Sequence, residues 1–178
     1  METYALLLAA TLNAGTVLAI ASLGLLITAK VGIVNLGAEG MMLCAAIAGF
    51  ATVVTTGSDI MGFVAGMLVG AGLAAIFGVL VIWLNTNQFA TGLALTLFGT
   101  GFSAFVGTNF VQAKITERPA FAIPGLSDIP LIGPALFRHH PLVYLTVLFA
   151  LGLLYFMYRT RSGWVLRSVG GSPESAHA

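Results

Sequence analysis

The apolar residues of this chain come in long runs separated by short polar steps. Residues 4–29 carry no charge and are interrupted only by small polar side chains such as Thr11, Asn13 and Ser22. That exceeds the roughly 20 residues a spanning helix needs. Lys30 suits the negative end of the helix dipole and Gly32 suits a left-handed cap, so the pattern predicts a break over residues 31–34. A second helix is expected from Asn35, which accepts a backbone N–H at the helix start, with Glu39 in the positive first turn. Further apolar runs follow at 36–54, 60–84, 89–110 and 142–158, divided by a polar turn at 55–59 and by the four polar residues Asn85, Thr86, Asn87 and Gln88. The fold class read from this pattern is all-α: a polytopic transmembrane helical bundle of about five spanning helices, with a break between the first two.

Composition strengthens the membrane reading. Of 178 residues, 58% are hydrophobic and only 7% charged, and the mean hydropathy is +1.02. Soluble domains carry roughly a quarter charged residues. The net charge of +1 gathers into no basic face, so nucleic-acid binding is not expected. The lone cysteine, Cys44, excludes an intrachain disulfide and lies in an apolar run, as a packing residue would. The amino terminus has no basic region before Lys30, so a retained first span is expected rather than a cleaved signal peptide.

Two stripes of small residues predict helix–helix seams. Gly62, Gly66, Gly70, Ala74 and Gly78 recur every fourth residue on the third helix, and Gly99, Ser103 and Gly107 do so on the fourth. In lipid such stripes let backbones approach closely, which makes these two helices expected neighbours. Trp83 fits an interfacial aromatic belt. The stretch 112–141 differs in kind: it holds Pro119, Pro124, Pro130, Pro134 and Pro141, five of the six prolines, and reads as an extramembrane loop. Lys30, Arg159, Arg161 and Arg167 fall on one side and Lys114, Arg118 and Arg138 on the other, which favours a cytoplasmic tail at 159–178 and an extracellular 112–141 loop. In the tail a short helix is expected over residues 163–169, closed by Gly170 and Gly171. Ser172, Pro173 and Glu174 then have the chemistry of a further helix start, so the chain reads as the amino-terminal part of something longer.

Chemistry-bearing constellations are sparse. His139 and His140 are adjacent, so their side chains diverge, and no acid or thiol stands at ligand spacing from them; no metal site is expected. No glycine-rich phosphate loop with its Lys and Ser or Thr is present, so the chain itself is not expected to hydrolyse ATP. Two readings of the polar steps stay open. Asn35 and Glu39 serve as a helix start, or they face a pathway, since an ionisable residue at membrane depth is a functional candidate. Asn85 and Thr86 read as a surface turn, while Asn87, Gln88 and Thr91 read either as part of it or as the lining of an aqueous cavity.

Three segments carry a family resemblance: GIVNLGAEGMML after the first span, NQFATGLALTLFGTGFSAFVG opening the fourth, and RTRSGWVLRSVGGSPESA after the fifth. Together they resemble the amino-terminal part of an ABC importer permease of the ribose and branched-chain amino-acid type, nearest to the nucleoside or simple-sugar uptake permeases. The resemblance implies a multi-pass subunit in the plasma membrane of a prokaryote with no cofactor and no catalytic residue of its own. Its implied partners are a second permease subunit, a cytoplasmic ABC ATPase, an extracellular or periplasmic solute-binding protein and membrane lipid. It implies substrate-pathway roles for Asn35, Glu39, Asn87, Gln88 and Thr91. It also makes the tail a coupling helix that docks on the ATPase through Arg161, Gly163, Trp164, Leu166, Arg167 and Gly170, with Trp164 and Leu166 in an apolar groove and the two arginines on acidic groups at its rim. The alternative from another class is a proton-coupled secondary transporter or channel using Glu39.

Overall fold

The computed structural model describes residues 2–115, 121, 122, 138, 139 and 141–171. Pro119, Pro124, Pro130, Pro134, His140 and the expected helix start at Ser172, Pro173 and Glu174 lie outside the described residues. Six helices are described: α1 (Glu2–Lys30), α2 (Ala38–Thr56), α3 (Asp59–Gly78), α4 (Gln88–Gly107), α5 (Pro141–Arg159) and α6 (Arg161–Gly171). Helix α3 runs on through a π-helical turn, Val79–Trp83, and α4 through a 3-10 turn, Thr108–Phe110. Strands β1 (Phe121–Ala122) and β2 (Arg138–His139) form a short antiparallel pair with Phe121 opposite His139.

Among the described residues four segments are long and apolar enough to cross a membrane: Leu7–Lys30, Ala38–Thr56, Asp59–Trp83 and Gln88–Phe110. The pair Val143–Arg159 and Arg161–Gly171, bent by 75°, supplies a fifth apolar element. The chain is therefore an all-α polytopic membrane protein with a break between its first two helices. Many of its helical hydroxyls are compatible with lipid because they bond within their own helices. On α1 the hydroxyls of Thr11, Thr16 and Ser22 donate to the carbonyls of Leu7, Leu12 and Leu18 at 2.7–2.8 Å, so these three carry no free donor into hydrocarbon.

The chain forms two compact units, Met1–Gly32 with Arg118–Ala178, and Ile33–Glu117. In the second unit α2 is the hub, packed by α3 on one side and α4 on another. A Cβ placed on Gly62 would run into Val53 and the Gly49 carbonyl, one on Gly66 would stand 3.0 Å from the Ala45 carbonyl, and one on Gly70 would touch the Ala45 Cβ at 3.7 Å. On the other side Gly99 and Gly40 meet backbone to backbone, and a Cβ on Gly40 would run into Leu95 and Thr96. Cys44, fully buried, donates its thiol to the Gly99 carbonyl at 3.9 Å. Gly107 faces Ile47 at 3.7 Å, Ser103 is half-buried, Ala74 is exposed, and a Cβ on Gly78 would meet nothing within 4 Å.

Gly62, Gly66 and Gly70 of one stripe and Gly99 and Gly107 of the other thus turn toward α2, and α3 and α4 are not packed on each other along them as the spacing predicts. The reason lies in α2, which carries small residues on two faces. Gly40 and Ala45 are five positions apart, about 140° around a helix at 3.6 residues per turn, so each outer helix finds its own close approach. Met41, Phe77 and Leu95 form the apolar core of this unit, flanked by Ile33, Leu73 and Val81.

In the first unit α5 packs on α1 and on α6, with Thr146, Leu153 and Met157 buried. Helix α6 begins at Arg161, two residues before the start expected from the sequence, and runs to Gly171. A Cβ on Gly163 would strike the Phe156 carbonyl and Met157, and one on Gly170 would strike the Lys30 carbonyl and Val31. Helix α6 is in this way seated on the ends of both α5 and α1.

Replacing Gly99 or Gly40 by Ala is expected to cost about 1–3 kcal/mol through overpacking. Gly72→Ala and Gly101→Ala, where an added Cβ meets nothing within 4 Å, should be neutral or stabilising. Reversible unfolding in mixed detergent micelles measures both; equal effects at the two kinds of site would refute the seam.

Candidate functional site

The broken backbone between α1 and α2 sits beside the start of α4, and polar side chains from both bind it. Helix α1 closes with the Val31 N–H on the Thr28 carbonyl at 3.2 Å and the Gly32 N–H on the Ala29 carbonyl at 3.1 Å, after which Gly32 takes φ +85°. Only glycine adopts that conformation without strain. Helix α2 then starts at Ala38, three residues later than the expected start at Asn35, with Gly37 as its N-cap. Asn35 still accepts a backbone N–H, that of Gly37 at 3.0 Å, and its amide nitrogen reaches the Met41 sulfur at 3.9 Å. The side chain closes a turn two residues on rather than capping the helix, the local bond that makes Asn compete with helical backbone.

Two groups from α4 complete the break. Gln88 Oε1 accepts the Val34 N–H at 3.1 Å, and Thr96 Oγ1 donates to the Leu36 carbonyl at 2.8 Å. Between them Gly92 has no side chain to hold Leu36 away: an added Cβ would lie 3.0 Å from the Leu36 and Gly37 backbone nitrogens. Gly92 and Gly99 are seven residues apart and so share a face.

The second polar step is equally occupied. Helix α3 ends in its π turn, and Asn85 adopts φ 49°, a left-handed conformation Asn tolerates. Both the N–H and the hydroxyl of Thr86 bond the Leu80 carbonyl, at 3.1 and 2.9 Å. Thr86 and Thr91 share a hydrogen bond of 2.9 Å. Asn87 is the N-cap of α4, with Oδ1 accepting from Phe89 at 2.9 Å and Ala90 at 3.2 Å.

Of the five residues expected to line a pathway, Asn35, Asn87, Gln88 and Thr91 hold the ends of broken helices. Asn35 and Gln88 meet at one place, the 33–37 segment; Asn87 and Thr91 belong to the α3–α4 turn. Glu39 is exposed in the first turn of α2. Thr96, Gly92 and Gly40 share this region, and spacing from Gly99 back to Gly92 was the available signal for one of them.

The other candidate segment is the α5–α6 elbow. Thr160 joins the helices: its hydroxyl accepts the Gly163 N–H at 3.1 Å, in the manner of an N-cap, and donates to the Phe156 carbonyl. Trp164 and Val165 are 63% and 59% exposed, Arg161 is exposed, and Leu166 is half-buried. Arg167 does not stand free at the rim: its guanidinium carbon lies 4.6 Å from the Tyr158 ring centre and 4.7 Å from that of Trp164. Gly163 and Gly170 are the close-approach points already described, turned inward rather than outward.

Residues 7–178 match the family described as branched-chain amino acid transport system / permease component. A putative glucose ABC transporter permease protein of Haloferax volcanii is 42% identical over 180 residues, covering 99% of this chain and 55% of the relative. The nucleoside ABC transporter permease protein NupC of Lactococcus lactis is 29% identical over 99% of this chain and 59% of its own length. The guanosine ABC transporter permease protein NupQ of Bacillus subtilis is 26% identical with the same coverages. The chain thus spans somewhat over half the length of the curated relatives it matches. No solved structure is significantly similar to it.

Gln88→Ala or Thr96→Val leaves one backbone group of the break without its partner, at a cost of about 1–3 kcal/mol. Amide exchange across residues 33–37 should then accelerate about tenfold or more relative to the α2 interior, as hydrogen exchange with mass spectrometry reads. Unaltered exchange in both variants would show that α4 does not hold the break.

Proposed function

The chain belongs to the family of branched-chain amino acid transport system permease components, and on that premise we propose that it is membrane-spanning permease sequence of an ABC importer for a sugar or nucleoside. The observation that carries the reading is the family match over residues 7–178 on a chain with five apolar helical elements. The relatives named for glucose, nucleoside and guanosine transport support a polar, uncharged or weakly charged small solute. In this reading the protein sits in a prokaryotic plasma membrane and does no covalent chemistry. ATP is hydrolysed by a separate cytoplasmic subunit, a second permease subunit completes the pathway, and a solute-binding protein delivers the cargo from outside.

The roles of the candidate residues follow from what each is already bonded to. Asn35, Asn87, Gln88 and Thr91 shape the pathway by holding the broken ends of α2 and α4, so their effect on solute passes through backbone position. Glu39, exposed at the positive end of α2, is the side chain with a charge to offer a hydroxyl-bearing solute. Helix α6 is the ATPase-coupling element, with the exposed Trp164 as its apolar anchor and Arg161 beside it; an amphipathic aromatic is a common hot spot in such contacts. The small-residue stripes serve packing. The loop over 112–141 is extracellular and the tail cytoplasmic.

Uptake into cells or vesicles carrying the complete transporter separates this reading from a proton-coupled one. Collapsing the proton gradient at constant ATP should leave uptake in place, and vanadate should abolish it; the opposite pattern assigns the work to Glu39 and sinks the ABC reading. Trp164→Ala should reduce ATPase co-purification by about tenfold or more, in the range of an interface hot spot. Unchanged recovery would remove α6 from the interface.

A further inference from the structure

Arg167 poses a problem of placement. Its Nε and Nη2 atoms are buried and have no hydrogen-bond partner among the described residues. An arginine spends its charge in water or on an anion where it can, because a buried donor left unpaired is costly. Here the guanidinium instead lies over two aromatic rings, Tyr158 at 4.6 Å and Trp164 at 4.7 Å. Those rings belong to different helices: Tyr158 is in the last turn of α5, and Trp164 in the first turns of α6. Between them the chain turns by 75°. At the turn itself the Thr160 hydroxyl serves both helices, and the Thr160 N–H and carbonyl carry the backbone bonds to Phe156 and Trp164 at 3.3 and 3.2 Å.

We propose that Arg167, lying over Tyr158 and Trp164, is a positioning residue that fixes the α5–α6 elbow and makes α6 a rigid lever on the end of α5. The proposal rests on the coupling role of α6 and gives Arg167 a different part in it from pairing with an acidic partner. Four features support it. The planar guanidinium is weakly hydrated and stacks on aromatic faces, so two rings offset its lost water better than they would for a strongly hydrated ammonium. Arg167 and Trp164 are three residues apart on α6 and so lie on one face. Gly163 brings the first turn of α6 onto the Phe156 carbonyl, so the elbow is closed at its base as well as clipped across it. Gly170 seats the far end of α6 on Lys30 and Val31, so that helix is held at three places along 11 residues. A helix held this way transmits a push on Trp164 to the end of α1 and to the shaft of α5, where a hinged one would absorb it.

The test separates stacking from charge. In the full chain with Cys44→Ala, nitroxides at the exposed Leu148 of α5 and Ser168 of α6 report the elbow by pulsed electron resonance distances in nanodiscs. The parent should give one narrow distance. Arg167→Lys keeps the charge and loses the stack, and Tyr158→Ala removes one ring; each should broaden the distribution and lower the native-distance population about five- to tenfold against alternatives. Tyr158→Phe keeps the ring and should remain narrow. A narrow native distance in Arg167→Lys overturns the proposal.

In the assembled transporter, Arg167→Lys and Tyr158→Ala should lower solute moved per ATP hydrolysed by several-fold while the ATPase subunit still co-purifies. Loss of co-purification with an unchanged distance distribution would make Arg167 a rim contact and likewise overturn the proposal. The distance measurement needs no ATPase, so failure of the ABC reading leaves the elbow result standing on its own.

Discussion

A backbone crossing hydrocarbon has no water to satisfy its N–H and C=O groups, and each one left open costs several kcal/mol. A continuous helix meets that demand internally, but an interrupted one must import partners. This chain interrupts its helices at residues 31–37 and 84–87 and again at Thr160, and at each place polar side chains take up the released groups. Asn35 and Gln88 accept from Gly37 and Val34, Thr96 donates to Leu36, Thr86 caps Leu80, and Thr160 serves Phe156 and Gly163. These polar residues therefore stand where the backbone needs them.

The second constraint is distance. Gln88 and Thr96 reach the break only because α4 lies against α2 with Gly92 and Gly99 at the contact, where any side chain would hold the helices apart. Close approach and backbone satisfaction are one arrangement in this unit. The glycines bring the donors and acceptors within 2.8–3.1 Å, and the resulting bonds keep the break in register with α4. Helix–helix association in lipid gains nothing from burying apolar area, so this combination of backbone contact and hydrogen bonding is what is left to drive it. Hydroxyls on α1 contrast with this: they bond back into their own helix and contribute nothing between helices.

Local signals carried much of the architecture. Gly170 and Gly171, expected to close the tail helix, lie inside α6, but run length marked the apolar helices and Lys30 with Gly32 marked the first break. Each rests on chemistry within a few residues of the feature it predicts. What stayed hidden involves partners far apart in sequence. Gln88 and Val34 are 54 residues apart and Thr96 and Leu36 are 60 apart, and nothing in spacing ties them together. The stripes on α3 and α4 announce a seam without saying with what. Their shared partner is α2, whose small residues fall on two faces and so form no single periodic stripe. Arg167 shows the same limit: nothing local in the tail sequence ties it to Tyr158, and it is at the 75° turn that the two come together.

This changes how function is to be sought in such a chain. A polar residue at membrane depth is a candidate for solute contact only after the backbone has made its claim, and here that claim takes Asn35, Asn87, Gln88 and Thr91. On the transport reading, solute then meets a surface of backbone turns with few side chains free to grip it. A path of that kind binds weakly, and weak binding along the way is what release at the far side demands. On that same reading affinity and selectivity fall to a delivering protein, and this chain contributes shape. Movement, on the transport reading, enters through the elements that are held at defined points, since a pathway built from backbone turns changes only when the helices bearing them shift. Helix α6, anchored on the ends of α5 and α1, is the element of the first unit so placed.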